Sequence, residues 1–168
     1  MAQAATKTQV VLATVALALI VAFGVLGLLW YGFSAEVQAR IWRNIVERPS
    51  GPMMFRFILQ PVMAVIAALV DGIKDARTGR SPYFWTVLTD PDKRAGRLRE
   101  GLISTARVIL LGLAMDVIYQ AIVLKTFYPG EAAIVAILLA FVPYLLLRGP
   151  FARIAHWWMA RKSPGAVS

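Results

Sequence analysis

VVLATVALALIVAFGVLGLLWYGF, residues 10–33, carries no charge and no strongly polar side chain along its whole length. About 20 such residues cross the hydrocarbon of a bilayer as a helix, so this one stretch predicts an integral membrane protein. Lys7 ahead of it and the small residues Gly32, Ser34 and Ala35 behind it also suit a secretory signal. The uncharged run is longer than the roughly 7–15 residues of a signal core, and we read a retained anchor. Composition agrees. Of 168 residues, 59% are hydrophobic, above the roughly 45–50% of soluble domains.

Outward from this span, Trp30, Tyr31 and Phe33 form an aromatic belt. Ser34 then caps a short helix over 34–47. Val37, Ile41, Trp42, Ile45 and Val46 fill one half of its circumference, and Glu36, Arg40, Arg43 and Glu47 the other. That division predicts a helix lying flat in the membrane interface. Pro49, Gly51 and Pro52 break the chain before a second apolar segment, 53–73. Its wheel sets Arg56, Gln60, Ala64, Ala67 and Asp71 on one narrow face, the packing face of a membrane helix.

Residues 74–101 are polar and rich in turn formers, and are expected to be a cytoplasmic loop. A third span, 102–127, holds Asp116 in its middle, and a fourth, 132–147, contains Pro143. After Gly149 and Pro150, residues 151–161 carry Arg153, His156, Trp157, Trp158 and Arg161 and predict another interfacial helix. The fold class expected is therefore an all-α integral membrane protein forming a single domain. About four transmembrane helices, with three an alternative, are joined to short amphipathic interfacial helices.

Charge bears on the number of crossings. With four, twelve Lys and Arg residues share a side and five face the other; with three, the split is fifteen against two. Both arrangements put residues 74–101 and the C-terminus in the cytoplasm by the positive-inside rule. Charge alone favours three. Four is favoured by an antiparallel match between the second and third segments. With Ala64 opposite Gly112, Asp71 meets Thr105, Gln60 meets Asp116 and Arg56 meets Gln120, with Arg56 about one turn from Asp116.

A carboxylate at that depth is normally paired, hydrated or functional. The expected intramembrane polar cluster is Asp116, Gln60, Arg56, Gln120 and Tyr119. Arg40, Arg43, Arg77, Arg80, Arg148 and Arg153 are expected to touch anionic lipid headgroups. The net charge of +9 is gathered at the ends of apolar segments, not in a stripe on a soluble domain, which argues against nucleic acid.

The chemistry is sparse. There is no cysteine, so thiolate metal sites, disulfides and cysteine nucleophiles are excluded. A single histidine, His156, cannot pair with another for haem or metal ligation within one chain. No phosphate loop, nucleophile elbow or zinc-protease signature occurs. Asp71, Asp75, Asp90 and Asp92 suggest the acidic clusters that hold magnesium in membrane phosphotransferases, but their spacing fits no such motif. No catalytic residue and no cofactor is therefore assigned.

In outline the chain resembles the small inner-membrane proteins common in bacteria, which implies an inner (plasma) membrane location. Two functions stay open. One is a non-catalytic accessory or scaffold subunit, partnered by other membrane subunits or by itself. The other is a small homo-oligomeric proton- or cation-coupled transporter built on Asp116.

Overall fold

Residues 5–162 are described by a computed structural model, and every regular element among them is helical. Helix α1 runs Lys7–Tyr31, α2 Ala35–Glu47, α3 Arg56–Arg77, α4 Tyr83–Thr89 and α5 Pro91–Tyr119. After α5 a wide π-turn covers Gln120–Leu124. Helix α6, Pro129–Ala136, passes through a second π-turn, Ile137–Phe141, into α7, Val142–Lys162. Four helical rods, Lys7–Tyr31, Arg56–Arg77, Pro91–Leu124 and Pro129–Arg161, are long and apolar enough to cross a membrane.

Local chemistry explains the starts. Thr6 and Gln9 form a reciprocal capping box at α1. Ser34 accepts from the Val37 N–H at α2, and Asp90 from the Lys93 N–H at α5, where Pro91 supplies a preset φ. Pro143 and Pro150 do not stop the last rod. Pro143 has no N–H to offer the Leu139 carbonyl, and the preceding turn widens so that Val142 N–H bonds Ile137 O instead. At Pro150 the helix runs on, braced along its length by α3.

Three expectations change here. Residues 74–101 are not an open loop: α3 continues to Arg77, α4 is a helix, and α5 begins at Pro91. Residues 151–161 are not a separate interfacial helix but the end of α7. Asp116 is not in the middle of its rod, because the rod begins eleven residues before Leu102. The wheel pattern could not see this, since the added turns are charged and lie beyond the apolar stretch.

Packing follows side-chain size. Helix α1 lies on α5 and α6, and α3 lies chiefly on α7. Small residues make the close approaches. A Cβ added at Gly27 would stand 2.7 Å from the Gly130 Cα, and one at Gly72 would stand 2.9 Å from both the Arg148 carbonyl oxygen and the Phe151 Cβ. The buried apolar core is alanine-rich, with Ala16, Ala64, Ala68, Ala132, Ala136 and Ala140 fully covered. Backbones that close leave little space for water beside a buried polar group. The outer face of α3, with Ile58, Val62, Ile66, Leu69 and Val70, is exposed.

Candidate functional site

Buried charge gathers at the two ends of the bundle. At one end Arg48, just after α2, and Arg56, at the start of α3, converge on Asp116 of α5, which is 0% exposed. Arg48 Nη1 and Arg56 Nη2 both donate to Asp116 Oδ1, the latter at 2.6 Å. Gln120 Nε2 donates to Oδ2 at 2.6 Å. Both oxygens are thus engaged. The Tyr119 ring centroid stands 5.2 Å from the Arg48 guanidinium carbon and 4.9 Å from that of Arg56, so one ring lies within cation–π range of both cations.

A second carboxylate extends the cluster. Glu131, in the first turn of α6, accepts from Arg48 Nη2 at 3.1 Å and from Asn44 Nδ2 at 3.0 and 3.1 Å. Arg40 Nε stands 3.5 Å from its other oxygen, while the Arg40 guanidinium stacks on Tyr31 and Tyr128. Gln120 also closes the loop beyond α5. Its Oε1 accepts from Tyr128 N–H at 2.6 Å and its Nε2 donates to Tyr128 O at 3.1 Å. One side chain therefore ties the carboxylate to the turn between the last two rods.

At the opposite end a second network joins α3, α4, α5 and α7. Arg148 donates to Asp75 through two nitrogens, Arg97 Nη1 donates to Asp75 Oδ1 at 3.3 Å, and Arg80 Nη2 donates to Glu100 at 2.7 Å. Asp71 accepts from Ser104 at 2.5 Å and from the Tyr144 hydroxyl at 2.8 Å. Tyr83 donates to the Arg97 carbonyl at 2.7 Å, its hydroxyl occupying space that a side chain at Gly101 would fill. Burial pushes the Tyr83 phenol up to about 12. From Arg56 to Asp75 is 19 residues of α3, or about 28 Å along the axis.

Several expected site residues take other places. Arg56 bonds Asp116 directly, not Gln120, and Gln120 bonds Asp116 from within its own helix. Gln60 does not reach Asp116; its amide lies beside Gly112, and neither of its polar atoms has a hydrogen-bond partner. Asp71 meets Ser104, not Thr105, whose hydroxyl turns back to the Gly101 carbonyl. The register is shifted by one turn at the Asp116 end, because the Arg56 charge moves to the carboxylate.

Of the headgroup candidates, Arg43, Arg77, Arg80 and Arg153 are exposed. Arg148 is not available to lipid: it is 3% exposed and committed to Asp75 and Tyr144. Arg80 is tied to Glu100 and Asp75, and Arg40 to Glu131 and two rings. Arg48, Glu131 and Asn44 were missed as site residues. Arg48 sits in the Pro–Gly break and Glu131 beside Pro129 and Gly130, where charges pass for loop residues. No periodic signal marks them.

Among the described residues no three His, Cys, Asp or Glu side chains converge as metal ligands. Compared with protein-family models, curated proteins and solved structures, the chain matches none of them.

Proposed function

We propose that this chain is a non-catalytic accessory or scaffold subunit of a membrane assembly. It crosses a plasma membrane four times, with residues 78–82 and the C-terminus in the cytoplasm. The observation that carries this reading is the state of Asp116. Two guanidinium groups and an amide occupy its oxygens, and it has no exposed surface. A carboxylate that moves protons or cations must exchange partners and be reached from outside. This one is fixed between helices.

The second network supports the same role, since Asp75 is likewise held by arginines of two other helices. The two clusters brace the bundle at each end and leave α1, the outer face of α3 and Trp42 and Val46 of α2 as apolar surface for lipid or a neighbouring subunit. The sidedness rests on the basic excess in residues 74–101 and after Leu147. Purification of the tagged chain in mild detergent, with identification of what accompanies it in fixed stoichiometry, tests the proposal. A stable membrane partner is expected. A pure homo-oligomer whose reconstituted vesicles show proton-driven flux, lost in a folded Asp116→Asn variant, would overturn it.

A further inference from the structure

Beside the Asp75 network, one cavity carries basic side chains that the network does not use. Its volume is about 420 Å³, within the roughly 300–1,000 Å³ of small-molecule sites. The end of α3 and the turn after it supply Ala76, Gly79 and Arg80, and α7 supplies Arg153, His156 and Trp157. Local structure sets the first wall. Gly79, at φ 63°, reverses the chain. The Arg80 N–H then bonds back to the Asp75 carbonyl at 3.0 Å, a Schellman closure that carries Arg80 to the cavity. On the second wall, spacings of three and four residues put Arg153, His156 and Trp157 on one face of α7.

These side chains are unequally committed. Asp75 also lines the cavity, but it is 2% exposed, and Arg148 and Arg97 occupy its oxygens. The lining holds no other carboxylate. Arg80 is shared between Asp75 and Glu100, with its side chain 40% exposed. Arg153 and His156 are exposed and make no hydrogen bond or ion pair among the described residues. A guanidinium fork and an imidazole N–H both suit phosphate oxygens.

Depth selects the source of the phosphate. On the four-crossing reading the Asp75–Arg148 pair lies near the edge of the hydrocarbon. Ala152, Arg153 and His156 follow Arg148 by four to eight residues, about 6–12 Å along the helix axis. Headgroups occupy about 5–8 Å beyond the hydrocarbon on each side. The cavity therefore opens at headgroup depth, with the exposed Trp157 ring at its rim, where tryptophan is favoured.

We propose that this cavity binds the phosphodiester headgroup of an anionic phospholipid. Arg153 and His156 make the first contacts, and Arg80 completes the positive wall. The site rests on the membrane reading but needs no partner subunit, so it stands or falls separately from the scaffold role.

The test uses the intact chain purified in dodecyl maltoside and titrated with dioleoylphosphatidylglycerol, dioleoylphosphatidylcholine or inorganic phosphate at constant ionic strength. Native mass spectrometry counts retained lipid, and the unfolding midpoint is read alongside. Phosphatidylglycerol is expected to be retained and to raise the midpoint saturably, with phosphatidylcholine and inorganic phosphate far weaker. The double variant Arg153→Gln with His156→Gln changes two exposed residues and should fold like the parent, with apparent affinity at least tenfold lower. Arg99→Gln removes one exposed charge outside the lining and is expected to bind as the parent does. Equal retention of both lipids overturns the proposal, as does undiminished binding in the double variant. A saturable midpoint rise with inorganic phosphate as large as with phosphatidylglycerol overturns the lipid as the ligand.

Discussion

Arg148 and Asp75, 73 positions apart in the chain, meet as a bidentate pair, Nε to Oδ2 at 2.8 Å and Nη2 to Oδ1 at 3.0 Å. Both side chains are almost wholly buried. The planar fork of arginine matches the carboxylate edge, a fit lysine cannot reproduce. This pair fixes the end of α3 against α7, where Gly72 lets the two backbones touch.

Removing one member strands the other. Arg148→Met is expected to cost about 3–5 kcal/mol, the range for an uncompensated buried charge. The double variant Arg148→Met with Asp75→Leu should recover much of that loss. Unfolding midpoints in detergent measure both, and an Arg148→Met protein as stable as the parent contradicts the pair's role.

Asp116→Asn keeps the shape but takes the shared counter-charge from Arg48 and Arg56. If hydrogen bonding alone mattered, the loss would be near the ~0.6 kcal/mol typical of membrane side-chain pairs. Because two buried cations are left facing each other, about 3–5 kcal/mol is expected instead. Denaturant titration in mixed micelles separates these values, and the smaller one would rule out the charge argument.

Alkali should act through Tyr83. Its phenol titrates near 10 when unfolded and, with burial raising it, about 12 when folded. A raised folded value means the contribution is complete below pH 10 and is lost as pH rises toward 12. The parent is therefore expected to lose stability more steeply than Tyr83→Phe over that interval. Parallel pH profiles for the two proteins would refute this.

Glycine to alanine distinguishes contact from propensity. Gly72→Ala would drive a methyl into the Arg148 carbonyl and Phe151, an overpacking expected to cost about 1–3 kcal/mol. Gly96, also helical, has nothing within 4 Å of an added Cβ. Gly96→Ala should stabilise by about 0.5–1 kcal/mol. The two signs, read from thermal midpoints, must differ.

The proposed orientation is checked by labelling. The chain has no cysteine, so single replacements give no background. Ser50→Cys should react with an impermeant maleimide in intact cells and Ser81→Cys should not, since both sites are exposed and α3 lies between them. Reaction of both, or of neither when lysed-cell controls react, rejects four crossings.

The apolar runs made the four long helices legible, because residues 10–33 and the alternation of polar and apolar faces on α3 leave little choice of structure. Asp116 with Arg56 was legible for the same reason: a lone carboxylate in an apolar run needs a cation. The rest was hidden by distance and punctuation. Arg48 and Glu131 sit beside prolines and glycines, so nothing local says that their side chains turn inward. Arg148 looked like a positive-inside residue because Gly149 and Pro150 suggested an exit from the membrane. Its partner, Asp75, lies in a segment whose helical extension comes from tertiary packing, not from a hydrophobic period.

The roughly 28 Å of α3 between Arg56 and Asp75 nearly equals the ~30 Å of a bilayer's hydrocarbon. With each end pinned by cross-helix ion pairs, the rod has no freedom to shorten and little to tilt. In lipids much thinner or thicker than this span, the bilayer must deform around the protein and not the reverse. On the proposed topology the two clusters together hold the bundle to one fixed length, about 28 Å.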